Sequence, residues 1–379
     1  MEHERMAPAD IALRKTPFER VSSAELAQQL DGRQRCRRKL PLWYRTPGIY
    51  YPEKLAVEQA SSQVAATYKA GLIPQRANIA DLTGGFGVDT FFFAERATRV
   101  VHCEKNAALA EIAQYNASVL GAANIDFVTA DGLGYLRGQP DDAFDCVYID
   151  PSRRVESRKV FRLEDCEPNV VENHGLLQQK AAKILIKTAP LLDITAALQA
   201  LEQVSEVHIV SIENECKELL FILERECTAV PKVTIAALEE DRVHTFSFTP
   251  AEEKAATVNF GQPKHYLYEP DAALLKSGAF KLVGQRYGLE KLHQHTHLYT
   301  SPEKHPDFIG RTFCIADVMS YADFKRDKVK AAGNVSTRNF PLKAEELRKR
   351  HRIGEDGNQQ LFFCTGIGDR LLVIFASKC

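Results

Sequence analysis

Between residues 78 and 225 apolar runs alternate with helical stretches, and the last two runs are separated by a few residues only. The runs are 78–83, 99–104, 125–130, 144–149, 182–187, 206–212 and 217–224, with helices predicted near 87–97, 106–119, 167–180 and 191–203. Apolar strands separated by helices pack as a parallel sheet covered on both faces. Run 206–212 meets run 217–224 across a short Asn214-Glu215 turn, which leaves no room for a helical crossover, so that pair must be antiparallel. The expected fold class is therefore α/β, a doubly wound, Rossmann-like sheet closed by an antiparallel terminal hairpin.

The flanks read differently. Residues 1–50 are helical and basic, broken by Pro41, Pro47 and Pro52 around Trp43, Tyr44, Tyr50 and Tyr51. Residues 53–72 predict one helix, with apolar positions at Leu55, Val57, Ala60, Val64 and Tyr68 and an end at Gly71. Val233–Leu238 and Val243–Thr249 read as strands and Gly278–Leu292 as a helix. Residues 306–379 follow a βαβαββ pattern, with strands at 309–318, 334–340, 359–365 and 370–376 and helices at 321–331 and 342–352. Four regions are expected: an N-terminal helical segment 1–75, the α/β domain 76–227, and small α+β domains 228–305 and 306–379.

No apolar run reaches the roughly 18 residues needed to span a bilayer, and the start Met-Glu-His-Glu-Arg lacks the form of a secretory signal. The nine cysteines include no C-x-x-C pair. That pattern predicts buried thiols in a reducing cytoplasm, not a disulfide framework or a zinc site. The chain is nearly neutral, at −1, but its bases cluster. Residues 33–45 sum to +6, 325–338 to +4 and 343–352 to +3. Such runs can follow a phosphate backbone, although each alone could be a solvated helix face.

The chemistry lies at the strand ends. Asp81-Leu-Thr83-Gly84-Gly85-Phe-Gly87 turns from the first strand into a helix, where glycine lets backbone amides approach a ligand. A dinucleotide fingerprint would need a third glycine where Thr90 stands, and here an acid, Asp81, precedes the turn. Both features favour S-adenosylmethionine (SAM) over NAD. Glu104 ends the second strand, where a carboxylate can accept ribose hydroxyls, and Asp131, before Gly132, ends the third, within reach of an adenine amino group. Capping a helix is the competing use of each acid. Asp150-Pro151-Ser152 ends the fourth strand. There the carboxylate and the Pro151 carbonyl can accept the two N–H bonds of an amine and aim its lone pair. Arg153 and Arg154 follow, suited to stacking on a base, gripping a phosphate, or tying the loop to Glu164 or Asp165.

Two other clusters are weaker. His293, His295 and His297 would share a face if they lay on one strand, but no acid or cysteine joins them, so an exposed loop or edge strand is expected and no metal. Glu269-Pro270-Asp271 reads as an acidic helix start.

Residues 81–89, Tyr-Ile-Asp-Pro-Ser-Arg-Arg at 148–154, Phe-Arg-Leu-Glu-Asp-Cys-Glu-Pro at 161–168 and Tyr-Glu-Pro-Asp-Ala-Ala at 268–273 resemble a bacterial family of class I SAM-dependent methyltransferases. Its members carry a small ferredoxin-like insert and a C-terminal THUMP-like domain. The resemblance implies SAM binding at Gly84, Gly85, Gly87, Glu104 and Asp131, a reaction centre at Asp150-Pro151 and, through the THUMP-like domain, an RNA substrate. The motif departs from the family's Asp-Pro-Pro-aromatic form. The expectation is a cytoplasmic enzyme that methylates an exocyclic amine in structured RNA, with Ser152, Arg153 and Arg154 on the substrate side. The rivals are methylation of a protein amide or amine, and a SAM-binding RNA-interaction protein with little catalysis.

Overall fold

The structure, a computed structural model, describes residues 6–13, 16, 18–153, 162–240, 242–355 and 357–379. The chain divides into two compact units: 1–207 with 218–230, and 208–217 with 231–379. Among the described residues no helix is long and apolar enough to cross a membrane.

The main sheet carries β1 (Asn78–Asp81), β2 (Arg99–Glu104), β3 (Ile125–Thr129), β4 (Phe144–Ile149) and β5 (Ala181–Thr188) of the first unit, with β6 (Val204–Ile212) and β7 (Glu215–Glu224), whose hairpin tip 208–217 is counted with the second unit. Their order is β3-β2-β1-β4-β5-β7-β6. The first five run parallel, and β7 is antiparallel to β5. The central strands are buried on both faces, which is why they read as unbroken apolar runs. The hairpin turns at Glu213-Asn214, one residue earlier than expected. Both residues are left-handed, at φ 52° and 62°, as a two-residue hairpin turn requires. The strand order reverses between β1 and β4, and ligands bind outside the strand ends at such a switch point.

The N-terminal segment contributes Trp43, which is buried against Phe86, Phe91 and Phe92 beside the glycine turn. The single helix expected over 53–72 is two, Lys54–Gln59 and Gln63–Leu72. Ala60 turns extended, and the Ser62 hydroxyl accepts from the Ala65 amide as the N-cap of the second helix.

In the second unit β8 (Lys232–Leu238) and β9 (Val243–Phe248) form an antiparallel pair. A separate sheet comprises β10 (Tyr266–Pro270), β11 (Glu290–His293), β12 (Thr296–Ser301), β13 (Gly310–Ser320), β14 (Asn334–Arg338), β15 (Gln359–Thr365) and β16 (Leu371–Lys378), in the order β11-β12-β10-β13-β16-β15-β14. Alternation sorts its side chains. Leu361, Phe363, Val373 and Phe375 pack against Tyr321, Phe324 and Leu347 of helices Tyr321–Arg326 and Ala344–His351. Phe362, Cys364 and Ile374 form the opposite core with Leu267 and Leu298. The helix expected over 278–292 ends at Gly288, left-handed at φ 63°, and residues 290–293 are edge strand β11.

One cysteine expectation is corrected. Cys314 on β13 and Cys379 form a disulfide across the first and last strands of the βαβαββ segment. The remaining seven cysteines are not disulfide-bonded.

Candidate active site

Asp81 closes β1 and is fully buried. Its carboxylate accepts from the Thr83 amide (3.1 Å) and the Thr90 hydroxyl (2.6 Å). Thr90 Oγ1 also lies 2.9 Å from His102 Nδ1. While Asp81 is ionised the hydroxyl gives its one proton to the carboxylate, and His102 Nδ1 is then the donor to Thr90. Burial pushes the Asp81 carboxyl up to about 7, against the Thr90 and Thr83 hydrogen bonds and with help from Asp89 and Asp150. Burial pulls the His102 imidazole down to about 4.

The glycines are required by close approach as well as by conformation. A Cβ on Gly84 would lie 2.2 Å from the His102 ring, and one on Gly132 would lie 2.1 Å from the Leu82 carbonyl oxygen. Gly85 and Gly87 are left-handed, at φ 56° and 80°. Glu104 is fixed by the backbone: Oε2 accepts from the Gly85 amide (3.0 Å) and Oε1 from the Asn106 amide (2.7 Å). It is not an N-cap, since Asn106 takes that position for helix Ala107–Val119. Asp131 is one, accepting from Gly134 N at 2.7 Å, yet it stays exposed. Each carboxylate oxygen has two acceptor sites, so both acids keep capacity for hydroxyls or an amino group. The glycine cradle and this donor-seeking pair fit a nucleoside-bearing cofactor.

Asp150 follows β4, and its amide donates to Thr83 Oγ1 at 2.7 Å. That bond joins the glycine turn to the Asp-Pro turn across 67 residues of sequence. Pro151 is buried. Ser152 is exposed and donates to the Glu167 carbonyl (3.3 Å), within a two-residue ladder pairing Ser152 with Glu167 and Arg153 with Cys166. Arg154 lies outside the described residues.

Beneath Asp150 runs a charge network that the sequence did not reveal. Lys187, at the end of β5, forms an ion pair with Asp150 Oδ2. Lys69 is wholly buried, 3.0 Å from Glu218 and 3.1 Å from Asp89, and donates to the Ser61 hydroxyl at 2.7 Å. Asp89 accepts from Ser61 (2.8 Å) and the Tyr148 hydroxyl (2.9 Å). Burial opposes the charge of Lys187, but Asp150, Glu218 and Asp89 outweigh it and raise its pKa above the ordinary lysine value. Burial likewise works to raise Asp89, but Lys69 and Lys187 prevail and lower it. Glu218 ends up raised, because its burial outweighs the same two lysines. Three carboxylates thus face two ammonium groups. A lysine inside an apolar run, as in Leu185-Ile-Lys187, was the one available signal.

The other sequence candidates fall elsewhere. His293 ends β11, His295 lies in the turn and His297 is on β12, so they do not share one strand face. His293 Nε2 is 3.0 Å from Asp369, and the His297 ring stacks on Phe280 at 3.6 Å. Glu269 is not a helix-start acid: it is buried in β10 and paired with both Arg311 and Arg338. Asp271 alone caps the helix Ala272–Ser277 and accepts from the Ser211 hydroxyl. The basic runs are partly spent internally. Arg35 pairs with Asp31 and Glu58, Lys39 holds the Val57 and Glu58 carbonyls, Arg33 lies over Tyr44, and Arg338 belongs to Glu269.

Residues 266–308 match a family described as a ferredoxin-like domain, and residues 310–378 match a family described as THUMP domain-like. Two uncharacterized SAM-dependent methyltransferases of Mycobacterium tuberculosis, from strains CDC 1551 and H37Rv, are each 22% identical to this chain. The likeness spans 309 residues, 79% of this chain and 80% of each relative. A crystal structure of a candidate methyltransferase from Porphyromonas gingivalis W83 is 32% identical, superposes with a TM-score of 0.88, and is matched over 100% of this chain and 96% of its own.

Proposed function

Because this chain belongs to the SAM-dependent methyltransferases that carry a ferredoxin-like and a THUMP-like domain, we propose that it methylates an exocyclic amine of a base in structured RNA. The observation that carries the reading is the Thr83–Asp150 hydrogen bond, which joins the two turns at the switch point of the sheet. In this reading Asp81, Thr83, Gly84, Gly85, Gly87, Glu104, Asp131 and Gly132 hold the cofactor. When bound, SAM supplies an electrophilic methyl group on a sulfonium centre. Asp150 and the Pro151 carbonyl accept the two N–H bonds of the amine and leave its lone pair free. Orientation and fixed negative charge then lower the barrier, without a strong base. Ser152, Arg153 and Arg154 stand on the substrate side.

The RNA assignment draws on the exposed bases at and just beyond the ends of helices Tyr321–Arg326 and Ala344–His351: Lys325, Lys328, Lys330, Lys349, Arg350 and Arg352. The chain is divided functionally into 1–75, 76–227, 228–305 and 306–379, and the enzyme works in the cytoplasm. Mass spectrometry of nucleosides in total RNA, from cells with and without the gene, tests the proposal. A methylated nucleoside lost with the gene and restored by the wild type, but not by Asp150→Ala, is the expected result. If the nucleosides are identical and a labelled methyl group goes to protein instead, the amide or amine rival replaces it.

A further inference from the structure

We propose that Lys187 is a positioning residue for methyl transfer: its ammonium holds Oδ2 of Asp150 and leaves Oδ1 to the incoming amine. The inference rests on the amine-orienting reading of the Asp150-Pro151 turn. The register of β4 and β5 pairs Ile149 with Ile186, so the next residue on each chain, Asp150 and Lys187, stand side by side at the strand ends. Lys187 is 14% exposed and Asp150 32%, so the carboxylate is the member of the network that reaches the surface. Among the described residues no hydrogen bond to Asp150 Oδ1 is present.

An ammonium in an apolar strand is costly unless it is paired. Lys187 is paired with Asp150 and is also attracted by the charges of Glu218 and Asp89, so its ammonium is held charged in the buried site. An unrestrained aspartate swings broadly about its last torsion and exchanges its two oxygens. Here the backbone amide is held by Thr83 and one oxygen by Lys187, so a single oxygen is presented in one orientation. An acceptor misplaced by about 1 Å can cost roughly a hundredfold in rate. Lys187 also keeps Asp150 from adding an uncompensated charge beside Asp89 and Glu218. A lysine that served stability alone would have no coupling to turnover through Asp150.

The test uses full-length wild type, Lys187→Met, Lys187→Arg, Asp150→Asn, Asp150→Ala and the Lys187→Met/Asp150→Asn double variant. Each is assayed with labelled SAM on total RNA from cells lacking the gene, and SAM affinity is measured by calorimetry. Lys187→Met should lower kcat by about tenfold or more, leave KM for RNA and the affinity for SAM within about twofold, and be partly rescued by Lys187→Arg. The double variant should be no slower than Asp150→Asn, because Lys187 acts through that carboxylate. Additive losses, or an unimpaired Lys187→Met beside an impaired Asp150→Ala, overturn the inference and spare the amine-orienting reading. An unimpaired Asp150→Ala overturns the reading itself. A substrate-free arm follows the lysine ammonium groups by proton–nitrogen NMR. The Lys187 signal should be slow to exchange in the wild type and exchange faster in Asp150→Ala, which removes its acceptor. If it is indifferent to Asp150→Ala, the inference falls whatever RNA accepts.

Discussion

Asp81 and His102 sit one hydroxyl apart, and burial drives each toward its neutral form. Their effects on stability oppose each other. Asp81, raised from 3.8 to about 7, binds a proton in the folded state that the unfolded chain releases, so its contribution is lost as pH rises through that window. His102, lowered from 6.5 to about 4, stays neutral where the unfolded chain is charged, so its contribution is lost as pH falls below 6.5. Between pH 4.5 and 6.5 the two slopes cancel. Asp81→Asn should expose the histidine slope, and stability relative to wild type should then rise with pH by roughly 1.4 kcal/mol per unit. Urea unfolding followed by the fluorescence of Trp43, the one tryptophan of the chain, reads this directly because Trp43 is buried in the first unit. Equal pH slopes in the two proteins would show that the pair does not titrate as described. At this scale the sequence was legible where a residue's position follows from the end of an apolar strand, as for Asp81, Glu104 and Asp150. It was silent on Lys187, Lys69 and Glu218, because their meeting depends on which strands are neighbours.

Among the elements, Gly132 opens helix Gly132–Arg137 against the Leu82 carbonyl, with no room for a methyl group. Gly132→Ala must shift either the helix or the glycine turn. Overpacking of this kind costs about 1–3 kcal/mol. If Asp131 and the turn share a ligand as proposed, affinity for SAM should fall with stability. Unfolding and calorimetry on one preparation separate the two, and unchanged SAM affinity would remove the 131–132 turn from the site. The central strands of the first sheet were readable because burial on both faces leaves an unbroken apolar signature. The break between helices Lys54–Gln59 and Gln63–Leu72 was not, since the apolar spacing runs on through Ala60 and only the extended backbone and the Ser62 cap mark it. Likewise Leu289 and Leu292 continue a helical spacing that Gly288 has already ended.

For the whole molecule, local charge matters more than the net charge of −1. Because β10 pairs with β13, deleting residues 306–379 would tear the sheet of the second unit, so point substitutions are the sounder test of RNA binding. Replacing Lys349, Arg350 and Arg352 by glutamine should weaken binding at low salt and reduce the slope of log affinity against log salt by about one per lost phosphate contact. SAM affinity should not change. An unaltered slope would move the RNA surface away from this helix end. The Thr83–Asp150 bond has a consequence for exchange with solvent. The amide proton of Asp150 exchanges when the Thr83 hydroxyl lets it go, by rotation of that side chain or by parting of the two turns, so its deuterium exchange is a clock on this contact. A cofactor gripping the glycine turn at a hundred times its Kd would slow that clock by about a hundredfold if the turns open as one. If the Asp150 amide keeps its pace, this contact opens while the cofactor stays bound, and the cofactor does not lock the two turns together.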